Sequence, residues 1–233
     1  MRRLVLWDID GTLVDTGQLG RDAFSEAFEV VAGRAPDRAT ETLVEMAGRT
    51  DHEIALEFLA RHHMDGHAHL SAFSDALAAA LAAKEREIRQ QGRALPGAKA
   101  ALAALAGEPG VVQSLLTGNI EPNAALKLAA FGLDAYLDFA VGGYGSDDAH
   151  RPNLVAVARR KAMEKYGVEF GPDSTVLVGD TPLDVAAGRQ GGARVVAVAT
   201  GPFGPDELRT AGAEVVLPNL EDTEAVLQAV LAA

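Results

Sequence analysis

The stretch LVLWDIDGTL, residues 4–13, decides the fold. Its first four residues form an apolar run without polar alternation, which is typical of a parallel strand buried on both faces. Asp8 and Asp10 follow directly, and carboxylates that come straight after a buried strand are costly unless a metal or an ionic partner compensates them. An isolated Asp-x-Asp is also ordinary turn chemistry, in which Asp and Thr bind local backbone groups. The stretch therefore predicts a first buried strand and leaves open whether its end is a turn or a site.

Short apolar runs also alternate with helical segments from about residue 92 onward, which is the pattern of βαβ units and a parallel sheet. Proline and glycine flank the helical segments, as Pro96 and Gly107 do for the first of them, and so mark helix boundaries. We therefore predict an α/β fold with a Rossmann-like parallel sheet flanked by helices. The predicted strands are residues 4–7, 111–116, 139–141, 176–178, 194–198 and 215–217.

Residues 15–91 differ from the rest, because their apolar residues recur at helical spacing, as Phe24, Phe28 and Val31 do, and no part resembles a strand. We expect an α/β core of residues 1–14 and 92–233 and an all-helical cap of residues 15–91, inserted after the first strand. Ligands of open α/β sheets bind outside the carboxyl ends of the strands. The insert would therefore lie over the site as a lid.

Two further polar motifs follow predicted strands. The tripeptide TGN, residues 117–119, offers a hydroxyl and backbone N–H groups that could bind phosphate oxygens, although it is also common in turns. Asp180 follows the strand at 176–178, and Asp184 comes four residues later on the next helix. Asp180 could hold a metal with Asp184 as a supporting acid, or Asp180 or Thr181 could instead cap the helix. All three motifs fall at strand ends, so the set is far more specific than any single motif.

Composition restricts the class of protein. The chain is 48% hydrophobic, which is enough for a sizeable core, and its net charge of −12 argues against nucleic acid or an anionic membrane as the main partner. The absence of cysteine excludes disulfides, thiolate metal sites and cysteine nucleophiles. Asp8 interrupts the first apolar run too early for a signal peptide or a membrane span. We expect a cytoplasmic protein.

The ordered set DIDGTL (residues 8–13), TGN (residues 117–119) and GDTPLD (residues 179–184) resembles the haloacid dehalogenase superfamily. The helical insert resembles that superfamily's C1-type cap, and the chain is most similar to phosphoglycolate-phosphatase-like and β-phosphoglucomutase-like hydrolases. The resemblance implies a sheet of order 3-2-1-4-5. That order would bring Asp8 and Asp180 into one metal site.

The resemblance also implies a role for each matching residue. Asp8 would be the nucleophile that becomes phosphorylated, and Asp10 would protonate the leaving alcohol and later activate water. Asp180 would hold Mg²⁺ together with Asp8 and the backbone carbonyl of Asp10, with Asp184 in support. A carboxylate can accept a phosphoryl group, and all-oxygen ligation suits Mg²⁺. The residues expected to hold the phosphate are Gly11, Thr12, Thr117, Gly118, Asn119 and Arg151.

Arg151 departs from the family pattern, which usually has a lysine in this segment, often followed by proline; here Arg151 precedes Pro152. Arginine is always charged and can bind phosphate bidentately, so we expect Arg151 to take the role of that lysine. Lys161 is the alternative, but it would lie nearly three turns into the following helix and could simply be solvated.

In the insert, Gly48 and Arg49 resemble the substrate-specificity loop of the phosphoglycolate-phosphatase-like group. Arg49 would reach a substrate anion when the cap closes. Alternatively, Gly48 ends one helix and Arg49 is solvated. Gln18 and Arg21, just past the first motif, are further candidates for lining the same crevice.

We expect a Mg²⁺-dependent phosphatase that hydrolyses a small phosphorylated metabolite and acts as a monomer or a weak homodimer. Asp10 favours phosphate esters, because the dehalogenases lack this second Asp. A phosphomutase of the β-phosphoglucomutase type remains an alternative. A dehalogenase and a non-catalytic binding protein fit the residues less well.

Overall fold

The computed structural model describes residues 2–37 and 43–232. In these residues six strands form a parallel sheet in the order β5-β4-β1-β6-β7-β8, and β2 and β3 form a separate antiparallel pair, where the labels follow the ranges given next. The strands are β1 (Arg3–Trp7), β2 (Val14–Asp15), β3 (Arg93–Ala94), β4 (Val111–Thr117), β5 (Gly143–Tyr144), β6 (Thr175–Gly179), β7 (Arg194–Val198) and β8 (Val215–Leu217). The parallel sheet confirms the predicted α/β class.

Helices cover both faces of this sheet and make up most of the segment between β2 and β3. In the described residues they are α1 (Leu19–Ala32), α2 (Asp51–Arg61), α3 (Gly66–Ala83), α4 (Glu85–Gln91), α5 (Ala98–Ala106), α6 (Glu121–Ala130), α7 (Asn153–Tyr166), α8 (Pro182–Gly191), α9 (Pro205–Thr210) and α10 (Thr223–Leu231). None of these helices has the length and the apolar character that crossing a membrane would require.

The register of the central strands aligns their carboxyl ends. Trp7, the last residue of β1, lies opposite Leu115 of β4 and Val178 of β6. The residues that follow, including Asp8 and Asp180, therefore leave the sheet at the same edge. This edge is where open α/β sheets bind their ligands.

β1 is buried on both sides because its alternate residues enter different hydrophobic clusters. Val5 and Trp7 pack in a cluster that includes side chains of α5 and α10. Leu4 and Leu6 pack in a cluster on the other face that includes side chains of α7. Burial on both faces explains why the strand has no polar alternation.

The helices between β2 and β3 form a hydrophobic cluster of their own. Phe24 of α1 packs on Phe73 of α3 with ring centroids 5.8 Å apart, and Phe28 packs edge-on against Phe58 of α2 at 5.4 Å. The chain enters and leaves this helical segment through the short antiparallel pair in which Val14 lies opposite Ala94.

Two details of the predicted sheet are corrected. Residues 139–141 form a 3₁₀ turn, and the strand next to β4 is Gly143–Tyr144. The Asp138 carboxylate accepts a hydrogen bond from the Ala140 N–H and so caps the turn, which delays the strand by a few residues. The parallel sheet has six strands and not the five of the expected order 3-2-1-4-5, because Val215–Leu217 pairs with β7 as an additional strand.

Candidate active site

The polar ends of β1, β4 and β6 line one cavity of about 580 Å³. The cavity is also lined by residues from the loop before α2 and from α1, so it lies between the sheet edge and the helical segment. The sequence-predicted residues that line it are Asp8, Asp10, Gly11, Gln18, Arg21, Gly48, Arg49, Thr117, Gly118, Asn119, Arg151 and Asp180.

Asp8 is held by the sheet and by Arg151. Its backbone N–H donates to the carbonyl of Val178 at 2.9 Å, which continues the β1–β6 ladder by one residue. Its carboxylate pairs with the Arg151 guanidinium at 2.8 Å, and both side chains are only 6% exposed. Burial raises the pKa of Asp8, although the Arg151 guanidinium opposes the rise. The carboxylate is therefore poorly solvated and depends on nearby cations.

Asp180 has a carboxylate oxygen with no partner. The residue is 1% exposed, and its Oδ1 accepts a hydrogen bond from the Thr12 hydroxyl at 2.7 Å, while its buried Oδ2 has none. Burial raises the pKa of Asp180, and the carboxylates of Asp184 and Asp8 add to the rise. A buried, unpaired carboxylate oxygen is costly unless a cation compensates it.

Asp8, Asp180 and Asp184 each offer a carboxylate oxygen within 4.8 Å of the other two. The oxygens of Asp184 are already engaged. One accepts from the backbone N–H and hydroxyl of Thr181, which makes a capping box at the start of α8, and the other binds Arg151 at 2.5 Å. The donors that fit a hard divalent cation are therefore Asp8 and the unpaired oxygen of Asp180.

The sheet edge packs too closely around Asp180 for added side-chain atoms. A Cβ at Gly11 or Gly201 would overlap Asp180 Oδ2. The Thr200 hydroxyl, from the same loop as Gly201, donates to the Gly11 carbonyl at 2.6 Å. The loop after β7 thus closes over the carboxylate, and sequence reasoning did not include it in the site.

Arg151 links the two sides of the cavity. Besides Asp8 and Asp184, it binds the carbonyl of Gly48 at 3.0 Å, in the loop before α2. Burial lowers the pKa of Arg151, but its two carboxylate partners outweigh that effect and raise it overall. Lys161, the alternative, instead binds the Gly142 carbonyl and Asp147. Of these two cations, only Arg151 faces Asp8.

The tripeptide after β4 forms a compact polar turn. Thr117 is fully buried, and its Oγ1 accepts hydrogen bonds from the backbone and side-chain N–H groups of Asn119 at 3.3 Å and 2.9 Å. A Cβ at Gly118 would overlap the Arg49 carbonyl oxygen, so glycine is required for this approach.

Asp10 is joined to a lysine that sequence reasoning missed. Lys127 Nζ lies 2.8 Å and 2.7 Å from the two carboxylate oxygens of Asp10 and 2.7 Å from Asn119 Oδ1. Asn119 Nδ2 also donates to Asp10, at 2.7 Å. Asn123 and Lys127 lie one turn apart on α6, and both are buried. Two polar residues at this spacing, on a helix that begins directly after TGN, were the available signal.

The loop before α2 lines the cavity with Met46, Ala47, Gly48 and Arg49, while the guanidinium of Arg49 pairs with glutamates of α2. Arg49 pairs with Glu53 at 2.8 Å and with Glu57 at 2.6 Å. Gly48 has a φ of +73°, and a Cβ there would lie 2.5 Å from Thr181 Oγ1. Gln18 precedes α1 and makes no side-chain cap.

Asp51, which sequence reasoning also missed, ties α2 to the strand ends. Its N–H donates to the Gly118 carbonyl at 2.7 Å, and its carboxylate accepts from the Ile120 N–H at 2.8 Å. Burial raises its pKa to about 6, although Lys127 and the hydrogen bond from Ile120 oppose the rise. An acid in the first turn of a helix is usually a solvated N-terminal residue, so its burial was not visible in the sequence.

Known proteins match this chain over almost its whole length. Residues 2–192 match a family model described as haloacid dehalogenase-like hydrolase. "Phosphoglycolate phosphatase, plasmid" from Cupriavidus necator is 30% identical, with 96% of this chain and 92% of the relative aligned. "Probable phosphatase IndB" from Dickeya dadantii is 26% identical over 99% of this chain and 96% of the relative. The crystal structure of CbbY from Rhodobacter sphaeroides in complex with phosphate has the same fold, with a TM-score of 0.67 at 24% identity over 95% of this chain and 96% of that one.

Proposed function

The chain belongs to the haloacid dehalogenase-like hydrolases, and from that premise we propose that it is a Mg²⁺-dependent phosphatase that hydrolyses a small phosphomonoester. One observation carries the proposal. Asp8, Asp180 and Arg151 meet in one buried cluster in which Asp180 Oδ2 has no partner. Such a cluster suits a divalent cation on one side and a phosphate on the other.

Asp8 is the proposed nucleophile. Its carboxylate attacks phosphorus, the bond to the leaving alcohol breaks, and Asp8 becomes an aspartyl phosphate. The position of Asp8 at the end of β1 supports this role, because the adjacent strands fix its backbone. A fixed nucleophile loses little entropy on reaching the reacting geometry.

Asp8, Asp180 and the backbone carbonyl of Asp10 are the proposed Mg²⁺ ligands. Bound there, the ion would offset the repulsion between a phosphate and the carboxylate that attacks it. Thr12 keeps one oxygen of Asp180 turned away through its hydroxyl. The other oxygen is therefore the one available to the metal.

Arg151 and the TGN turn are the proposed phosphate-binding groups. Arg151 keeps its position through Asp184 and the Gly48 carbonyl, and so presents its charge beside Asp8. The Thr117 hydroxyl and the backbone N–H of Gly118 would supply further hydrogen bonds. The N–H groups of Gly11 and Thr12 donate to the carbonyls of Val14 and Ile9 at 2.9 Å and 3.3 Å, so they would have to release these carbonyls to bind the phosphate. Asp10, two residues after Asp8, would protonate the leaving alcohol and then take a proton from the water that hydrolyses the intermediate.

We also propose that residues 15–91 form a cap over a core of residues 1–14 and 92–233. The hydrophobic cluster of α1 to α4 supports this division, since Ile120 is the one buried member of this cluster, among the described residues, that lies outside 15–91. Gly48, Arg49 and Gln18 would then contribute to the choice of a small phosphorylated metabolite. Glu53 and Glu57 engage Nε and Nη1 of Arg49, so a substrate anion would bind Nη2 or displace one of these glutamates.

The test is phosphate release from a panel of phosphorylated metabolites and from p-nitrophenyl phosphate, with and without Mg²⁺. Asp8→Asn should abolish turnover. Asp206→Asn is the matched control, because Asp206 is 99% exposed. Turnover by purified Asp8→Asn would refute the nucleophile assignment. Isomerisation of a sugar phosphate without phosphate release would indicate a mutase instead.

A further inference from the structure

Lys127 is a buried lysine in the candidate active site to which the proposed reaction assigns no role. It is 5% exposed, and its ammonium group lies within 2.8 Å of Asp10 Oδ1, Asp10 Oδ2 and Asn119 Oδ1. An ammonium group has three N–H donors, so these acceptors satisfy it completely. Burying a lysine is expensive, and stability alone is a poor reason for it, since a buried ion pair is often no more stabilising than apolar residues of similar volume.

The partner of Lys127 is a side chain that would otherwise have considerable freedom. The Asp10 side chain is 44% exposed, in contrast to the buried Asp8. Lys127 and Asn119 contact its carboxylate from the side of α6 and β4. These contacts restrict the rotamers of Asp10 and leave its exposed side turned toward the cavity.

The same network reaches the TGN turn. Asn119 Nδ2 donates to both Asp10 Oδ2 and Thr117 Oγ1, and Asn119 Oδ1 accepts from Lys127. The carboxylate of Asp10 is therefore held in register with Thr117, one of the proposed phosphate-binding groups. A displacement of Lys127 would alter the placement of Asp10 relative to the bound phosphate.

We infer that Lys127 is a positioning residue that holds the Asp10 carboxylate where it takes a proton from the hydrolytic water; this rests on the proposed function. In that step the water oxygen bonds to phosphorus and the bond between phosphorus and the Asp8 oxygen breaks. Asp8 keeps the electron pair, and the water proton passes to Asp10. The products are free phosphate and a protonated Asp10, which can protonate the next leaving alcohol.

The step can be isolated with p-nitrophenyl phosphate, because nitrophenolate leaves without needing a proton. Phosphorylation of Asp8 by this ester does not depend on Asp10, whereas hydrolysis of the intermediate does. Lys127→Met should therefore lower kcat by about 10²-fold, the lower range for the loss of a positioned general base, and leave kcat/KM within about 3-fold of wild type. Stopped-flow mixing should show a burst of nitrophenolate equal to the enzyme concentration.

Two further variants make the result specific. Lys161→Met removes a lysine that is ion-paired with Asp147 outside the cavity, and it should behave like wild type. Lys127→Arg keeps the cation beside Asp10 and should restore much of kcat; it also carries the test if Lys127→Met folds poorly, as its melting temperature would reveal.

Three outcomes would overturn the inference. Equal loss of kcat and kcat/KM without a burst would mean that Lys127 is only structural. A kcat for Lys127→Met equal to that of wild type would mean that the ion pair between Lys127 and Asp10 does not contribute to hydrolysis of the intermediate. Wild-type protein that releases neither nitrophenolate nor phosphate from any metabolite of the panel would instead refute the proposed phosphatase and this inference with it, so the two failures are distinguishable.

Discussion

Arg151 and Asp184 form a buried ion pair, Nη2 to Oδ1 at 2.5 Å, and the same guanidinium nitrogen reaches Asp8 at 2.8 Å. Asp184 also completes the capping box of α8 through Thr181. The start of one helix thus fixes the cation that faces the proposed nucleophile. Because the guanidinium also binds the Gly48 carbonyl, the placement of Arg151 depends on the helical segment as well.

Asp184→Asn should be more destabilising than the loss of a helix cap alone. The amide cannot accept from Thr181 and Arg151 together, and the Arg151 charge would lose a buried partner. We expect a loss of about 3 kcal/mol in the free energy of unfolding. Thr181→Ala, which removes only the hydroxyl of the cap, should cost about 1 kcal/mol. Urea unfolding of the two variants checks this, and equal losses would contradict it.

Gly201→Ala should weaken Mg²⁺ binding without unfolding the protein. A methyl group at this position would overlap Asp180 Oδ2 and displace the carboxylate proposed as a metal ligand. We expect a loss of about 10- to 100-fold in Mg²⁺ affinity, as for changes in the support of metal ligands. Isothermal titration calorimetry measures it directly. Gly171→Ala is the control, because nothing lies within 4 Å of a Cβ there, and an equal effect of both changes would contradict the prediction.

Local sequence patterns predicted the sheet and the acidic strand ends, because each depends on a few neighbouring residues. The absence of polar alternation predicts the strand at residues 4–7, and the acids follow this strand directly in the sequence. The parallel register then brings Asp8 and Asp180 together. The third strand of the order was placed four residues too early, since the apolar residues 139–141 pack as a 3₁₀ turn. Hydrophobicity alone does not separate these two conformations.

The parts of the site that were missed depend on contacts between distant residues. Lys127 is 117 residues from Asp10, and Asp51 is 69 residues from Ile120. In isolation, each has the appearance of a polar residue on a solvated helix face. Thr12 is predicted to hold the phosphate, and this stays a prediction; its hydroxyl donates to Asp180, because the tight turn at Gly11 brings it beside the end of β6. Only the packing of the two segments determines such partners.

Mg²⁺ should raise the melting temperature of the protein. Asp8, Asp180 and Asp184 lie close together. Arg151 pairs with Asp8 and Asp184, but Asp180 keeps one carboxylate oxygen without a partner. An ion that binds only the folded state at 100 times its Kd adds about 2.7 kcal/mol to the free energy of unfolding. Differential scanning calorimetry with MgCl₂, against NaCl of equal ionic strength, measures the shift. Asp180→Asn should lose most of it, and a shift that this variant retains would place the ion elsewhere.

Asp51 should make the protein less stable as the pH rises from 4 to 7. Burial raises the pKa of Asp51 from 3.8 to about 6, so in this window the folded state binds more protons than the unfolded state. The free energy of unfolding then falls with rising pH.

Asp51→Asn removes the titrating carboxyl group, and the amide oxygen can still accept the hydrogen bond from the Ile120 N–H. Its free energy of unfolding relative to wild type should therefore increase by about 2 kcal/mol between pH 4 and pH 7. Taking the difference between variant and wild type cancels the titration of Asp8 and Asp180, which have pKa values shifted in the same direction. Urea unfolding at the two pH values, with Asp206→Asn as the exposed control, gives the comparison. A difference independent of pH would show that the pKa of Asp51 is the same in the folded and unfolded states, so that Lys127 and the Ile120 N–H offset the effect of its burial.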